Sequence, residues 1–245
     1  MENECIIELF NILETNHIIY DMMKQCPYEI LKNISIKEYK KGEFLLEQGT
    51  KKELFYIIVQ GIFDIYTVSE SGKKYLIQTY TNGDYIGELE ISNNKPYVST
   101  VKARDSSKLI EIKRNDFLKW IDIDRNFSQY LIRTLCKSTY ALCENTSNNT
   151  LYTLKQRICQ YLIESINKSC GSNKFHIKIK TDNLGDKMGV TQRSINRVLK
   201  QLKEIGVIDI KNSNVIVKDY DLLINQRDYK FCKGLKRNWA KNERR

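Results

Sequence analysis

Five side chains suited to reading base pairs fall within nine residues: Gln192, Arg193, Asn196, Arg197 and Lys200, in the stretch TQRSINRVLK. An arginine fork pairs with guanine O6 and N7, and glutamine or asparagine pairs in the same two-pronged way with adenine. If the stretch is helical, Ile195, Val198, Leu199 and Leu202 share one face and the five polar residues lie away from it. Thr191 stands where such a helix needs an N-cap. A second candidate is GELEISNNKPYVS, residues 87 to 99, a glycine-led acidic turn and polar loop containing Lys95. It raises the question of a small ligand, or of nothing more than a closed turn. A third is thiol chemistry. The seven cysteines, at 5, 26, 136, 143, 159, 170 and 232, include no CxxC pair, and only His17 and His176 are there to assist them. That spacing suits neither a zinc knot nor a disulfide framework, so reduced and mostly buried thiols are expected. Cys136 and Cys143 are seven apart and would share a helix face, which leaves a redox role open. There is no clustered nucleophile and base, and Glu88 with Glu90 reads as a turn and a barrel rim, so no enzyme is expected.

The elements that position these residues follow from periodicity. From about Ile34 to Ile112 the chain runs in short alternating stretches such as ISIKEY, FYIIVQ, FDIYTV and KYLIQTY, with glycines at 49, 61, 72 and 83. Turn signals at that spacing predict an antiparallel barrel or sandwich in which each strand buries one face. A short helix is expected from Asn115 to Trp120. A longer one opens at Phe127, with an apolar stripe of Phe127, Leu131, Leu135, Ser138 and Leu142 that is either intramolecular core or a dimer seam. NTSNNT, Asn145 to Thr150, is poor in helix formers and is expected to loosen into a hinge. Helical spacing resumes through Leu154, Ile158, Tyr161, Leu162 and Ile166, CGSNK breaks it, and HIKIK alternates like a strand. In TDNLGDKMGVTQRSINRVLKQLKEIGVI, Thr181 is a plausible cap, Leu184 and Met188 share a face, Gly189 turns the chain and Gly206 ends the second helix. VIDIKNSNVIVKD then reads as two strands about a KNSN turn. The whole describes a winged helix-turn-helix.

The net charge of +10 is unevenly placed: residues 151 to 245 hold 21 Lys+Arg against 9 Asp+Glu, net +12, and residues 1 to 150 hold 19 against 21, net −2. Such asymmetry is the footprint of one module facing a polyanion. The longest apolar run, LFYIIV from Leu54 to Val59, is far shorter than the roughly 20 residues of a bilayer span, and MENECIIELF lacks a basic leader. No membrane association and a cytoplasmic location are expected. From Lys230 onward there are seven Lys+Arg and one acid. This extension is expected either to pack Leu222, Leu223 and Phe231 on the wing domain while its basic tail reaches phosphates, or to fray.

A glycine-punctuated barrel, a long helix and MGVTQRSINRVLKQLKEIGVI, in that order, resemble the Crp/Fnr family of bacterial transcription regulators. The resemblance covers about residues 30 to 218 and is most specific from Leu184 to Ile208. It implies an α+β fold in three parts. N-terminal helices and an antiparallel β-roll, a jelly roll of the cyclic-nucleotide-binding type, occupy 1–123. A dimerisation helix and hinge occupy 124–153, and a winged helix-turn-helix with a basic extension occupies 154–245. It implies a homodimer seamed by Phe127, Leu131, Leu135, Ser138 and Leu142 that reads a two-fold symmetric operator in double-stranded DNA, with RNA polymerase as a further partner. Gln192, Arg193 and Arg197 match base-contacting positions, and Thr191 a position near the backbone. Where cyclic AMP-responsive members carry Glu, this chain has Arg193, which predicts a different half-site.

The resemblance also frames the turn. In cyclic nucleotide-binding members a Gly-Glu-Leu turn is followed by a loop and Arg-Ser; Gly87, Glu88, Leu89 and Ser99 match, but Val98 replaces the arginine. A buried phosphate needs a charge-assisted partner that valine does not supply, and neither Lys95 nor Lys102 presents a planar fork. Counting back from Arg157, Leu142 and Cys143 occupy the adenine-contacting positions. A candidate effector pocket of Gly87, Glu88, Leu89, Ser99, Leu142 and Cys143 is therefore not expected to take cyclic AMP. Cys5 and Cys26 do not reproduce the iron-sulfur cysteine cluster of related oxygen sensors, and His17 alone is a poor case for haem. No cofactor is expected. What remains is an unknown small effector, a thiol-based response or no effector. A different class is also open, a ligand-binding module whose basic domain docks on RNA or an acidic protein.

Overall fold

The computed structural model describes residues 2–168, 175–179, 181–211 and 214–228. The CGSNK break, the middle of the KNSN turn, Cys170, Phe231, Cys232 and the basic tail lie outside them. The chain divides into two units, Met1–Ala141 and Leu142–Arg245.

In the first unit three helices, α1 (Glu2–Thr15), α2 (His17–Met23) and α3 (Tyr28–Leu31), precede eight strands. These are β1 (Ser35–Tyr39), β2 (Phe44–Leu46), β3 (Leu54–Gln60), β4 (Phe63–Val68), β5 (Lys74–Tyr80), β6 (Tyr85–Ile86), β7 (Thr100–Ala103) and β8 (Ser107–Lys113). A short helix, α4 (Glu88–Asn93), stands between β6 and β7, and α5 (Arg114–Ile123) and α6 (Arg125–Leu151) follow β8. The strands form two antiparallel sheets of order β1-β8-β3-β6 and β2-β7-β4-β5. Their shared interior holds Leu45, Tyr56, Ile58, Phe63, Val101 and Leu109. A second core, with Ile19, Met22, Phe55, Ile57, Ile110, Ile112, Phe117 and Trp120, lies between the first sheet and the helices. One expectation fails here: β3 buries both faces, Tyr56 and Ile58 inward and Phe55 and Ile57 toward the helices. This accounts for its unbroken apolar run, because a strand covered on both sides has no wet face to alternate with.

The same helical layer corrects the reading of the stripe on α6. Phe127 is fully buried and stacked on Trp120 at 3.6 Å between ring centroids, Leu131 is buried, and Leu135 packs on the same cluster. Asp124 fixes the start of this helix by accepting from the Phe127 N–H and from Trp120 Nε1. Phe127 and Leu131 are thus consumed by this chain's own core and are not free to seam a dimer; of the stripe only Leu142, 48% exposed, faces outward as an apolar group. The expected hinge also fails, since α6 continues to Leu151. Asn and Thr each cost a helix only a few tenths of a kcal/mol relative to better formers, too little to break it. The interruption comes at Tyr152 and Thr153, where Thr153 and Gln156 form a reciprocal cap. Thr153 N and Oγ1 donate to Gln156 Oε1, and Gln156 N donates back to Thr153 Oγ1.

The second unit contains α7 (Leu154–Lys168), β9 (His176–Lys178), α8 (Thr181–Met188), α9 (Gln192–Glu204), β10 (Ile208–Lys211), β11 (Asn214–Val217) and α10 (Tyr220–Asp228). Its three strands pair antiparallel in the order β10-β11-β9. The stripe of Ile158, Leu162 and Ile166 on α7 meets Leu184, Ile195, Leu199, Leu202, Val207 and Val215 in one core. The extension opens as α10, whose Leu223 is fully buried in that core with Leu222 packed against it. The thiols are less buried than expected. Cys26 and Cys159 are buried, and burial pushes them up to about 12 and about 11; Cys5 is half-buried, whereas Cys136 and Cys143 are exposed. The seven-residue spacing that puts the last two on one helix face has turned that face to solvent.

Candidate nucleic-acid interface and the turn at Gly87

α9 separates its residues as the spacing predicts. Ile195, Val198, Leu199 and Leu202 are buried, and Gln192, Arg193, Asn196, Arg197 and Lys200 are exposed. Thr191 caps the helix, its Oγ1 accepting from the Ser194 N–H at 3.3 Å and lying 3.0 Å from Ser194 Oγ. The turn from α8 runs through Gly189 at φ 64° and closes with Val190 N donating to Gly185 O at 3.0 Å. Gly185 escaped the sequence reading. A Cβ there would stand 3.0 Å from the Val190 carbonyl oxygen, so the turn packs tightly against helix backbone that carries no side chain. Its only trace in the sequence is a glycine four residues before Gly189, inside a helix, where glycine is otherwise costly.

Three side chains tie α8 and α9 to their surroundings. Gln192 Nε2 donates to Thr181 Oγ1 at 2.9 Å, linking the first residues of α8 and α9. Arg157 Nη1 donates to the carbonyl of Met188 at the end of α8 and to Asn149 Oδ1. Lys203 reaches Asp209 of β10 at 3.0 Å and holds that carboxyl below its ordinary range, so the exit of α9 is joined to the wing. Lys200 stands 3.9 Å from Glu204, and both are exposed. The arrangement presents cationic and amide donors on the exposed face of a helix whose exit is joined to a three-stranded sheet.

The turn from Gly87 to Ser99 is more structured than a loop. Gly87, at φ 101°, admits no side chain, because a Cβ would lie 2.7 Å from Leu54 O. α4 follows, and Asn94 ends it in the left-handed conformation at φ 54°. Tyr97 is buried and its hydroxyl donates to Lys52 O at 3.0 Å, while Arg114 Nε donates to Ile91 O at 3.1 Å. Glu88 is buried, and loss of hydration, with a smaller push from Glu90, raises its carboxyl to about 7 against a pull from its own backbone N–H. Ser99 is buried, Leu89 is half exposed and Val98 is 62% exposed. The Val98 N–H donates to Glu90 Oε1 at 3.3 Å. Lys95 is exposed, and the Lys102 ammonium lies over the Phe44 ring at 4.6 Å. Leu142 and Cys143 belong to the other unit, exposed on α6. Among the described residues no group of three or more His, Cys, Asp or Glu is placed to hold a metal ion, and no helix is long and apolar enough to cross a membrane.

A β-roll with a glycine-started turn and a winged helix-turn-helix with an outward cationic helix together define a DNA-binding transcription regulator with a cyclic-nucleotide-binding-like domain. The cyclic nucleotide-binding domain model matches residues 36–124, and the Crp-like helix-turn-helix domain model matches residues 156–225. The chain belongs to the Crp/Fnr family of transcription regulators. It is 24% identical over 191 residues to the cAMP-activated global transcriptional regulator CRP of Salmonella typhimurium, covering 76% of this chain and 91% of that protein. To the anaerobic regulatory protein of Bacillus subtilis it is 25% identical over 238 residues, covering 91% and 93%. The c-di-GMP responsive global regulator CLP of Xanthomonas campestris shares the fold with a TM-score of 0.65 at 14% identity, covering 83% of this chain and 99% of that one.

Proposed function

We propose that the protein is a homodimeric regulator that reads a two-fold symmetric operator, each subunit setting α9 into a major groove. Arg193 and Arg197 take guanine edges, Gln192 and Asn196 take adenine edges, and Lys200 and Thr191 engage the backbone. The observation that carries the reading is the division of α9 into a buried aliphatic stripe and an exposed Gln-Arg-Asn-Arg-Lys face. The +12 charge of residues 151 to 245 supplies the attraction to phosphate. Like the rest of its class, the protein acts by binding rather than by turnover, in the cytoplasm, with RNA polymerase as its further partner.

The signal is an effector other than cyclic AMP, or none, with no resident cofactor. Relatives named for cAMP, for anaerobic regulation and for c-di-GMP show that the fold alone does not choose. Against a cyclic phosphate stand the exposed Val98 in the arginine position and the Glu90 carboxylate already on the Val98 amide. Selection of bound duplexes from random DNA by the purified protein tests the main reading. The expected product is a symmetric consensus with half-sites about 10–10.5 base pairs apart, centre to centre. Random polyanion competing as well as the selected duplex would reject it and favour docking on RNA or an acidic protein.

A further inference from the structure

A second stripe runs along α6: Ile132, Cys136, Thr139, Cys143, Thr146 and Thr150, every one exposed. The steps are four, three, four, three and four residues. This is the 3.5-residue period by which two helices wind around each other, with Ile132, Thr139 and Thr146 at d and Cys136, Cys143 and Thr150 at a. The charges of α6 respect it. Between Ser128 and Leu151 they are Arg133, Lys137 and Glu144, which at 3.6 residues per turn fall within roughly 40° of one another and off the stripe. Leu142, at a flanking g position, and Tyr140, at e, add exposed apolar surface beside it. With Phe127 and Leu131 buried in their own subunit, the stripe is a regular face of α6 left open to a second copy.

We infer that Cys136 and Cys143 form disulfides with the partner's Cys136 and the partner's Cys143, a covalent lock on the dimer. The inference rests on the homodimer reading above. In a parallel two-fold pair, each a position meets its own equivalent across the axis. Helix axes about 8–10 Å apart, with Cα atoms on cylinders of about 2.3 Å radius, bring such pairs into the roughly 4.4–6.8 Å range a disulfide spans. Threonine and cysteine bury little apolar surface, so the seam holds two helices more weakly than a leucine seam. A covalent bond therefore has most to add here. Each bond forms as two thiols give up two protons and two electrons to a peroxide, which leaves as two waters; a dithiol reductant reverses it.

The test uses the full chain. Sedimentation under reductant reports the oligomeric state, and non-reducing electrophoresis after hydrogen peroxide reports the bond. A dimer under reductant that becomes covalent with peroxide, in wild type and in a variant with the other five cysteines changed to Ser but not in Cys136→Ser/Cys143→Ser, is the expected result. The oxidised protein should also keep binding a selected duplex at dilutions where the reduced one dissociates. A reduced dimer that gains no bond, or a bond that survives Cys136→Ser/Cys143→Ser, overturns the lock and leaves the homodimer standing. A monomer at every concentration overturns both.

Discussion

Glu90 and Val98 are joined across the turn, the Val98 N–H donating to the Glu90 carboxylate at 3.3 Å. An acceptor built into the protein thus occupies the amide at 98, and the side chain there carries no charge. On the proposed reading, a cyclic phosphate at this turn would meet the Glu90 carboxylate and no arginine.

Cyclic AMP is therefore expected to leave the melting temperature unchanged. A ligand that binds the native state stabilises it by about 2.7 kcal/mol at a hundredfold excess over its Kd. A rise in Tm at micromolar cyclic AMP in a thermal-shift titration would mean that Val98 has been misjudged.

Glu88 predicts a pH effect of definite sign. Its carboxyl is raised from 4.5 to about 7 mainly by burial, so the folded state holds the proton through a window in which the unfolded state has lost it. Stability from this group is complete below about 4.5 and declines as pH rises to about 7, an upper bound of roughly 3 kcal/mol at about 1.36 kcal/mol per unit. Glu88→Gln removes the titration. Urea midpoints of the two proteins should diverge from pH 4.5 to pH 8 in favour of the variant; parallel curves would sink the assignment.

Phe127→Ala should cost about 3–5 kcal/mol of unfolding free energy, because it empties a fully buried site stacked on Trp120. Ile132→Asp, on the exposed side of the same helix, should change stability by no more than about 0.5 kcal/mol per subunit yet shift sedimentation toward monomer. The reverse pattern in denaturation and sedimentation would restore Phe127 to the seam.

Arg193→Ala should lose about 1–3 kcal/mol of discrimination at one base pair of each half-site while keeping most nonspecific affinity. Lys200→Ala should weaken selected and random duplexes alike and reduce the salt slope by about one. Filter binding across a salt series distinguishes the two. Unchanged preference in the arginine variant would reject its role.

The helix-turn-helix was legible because its determinants are local. The threonine cap, the Gly189 turn and the 3.6-residue aliphatic spacing of α9 each act within a few residues, and the structure reproduces them. Charge asymmetry needed only composition. Tertiary structure decided which stripe of α6 faces inward, since Phe127 and Cys136 both lie on regular helical periods and only the position of Trp120 and the sheet determines which is covered. It also decided that β3 is covered on both sides, that Gly185 lies against the Val190 carbonyl, and that Glu90 reaches the Val98 amide. Local pattern fixes which faces a segment offers; what covers each face depends on contacts between residues distant in the chain, and no periodicity encodes those.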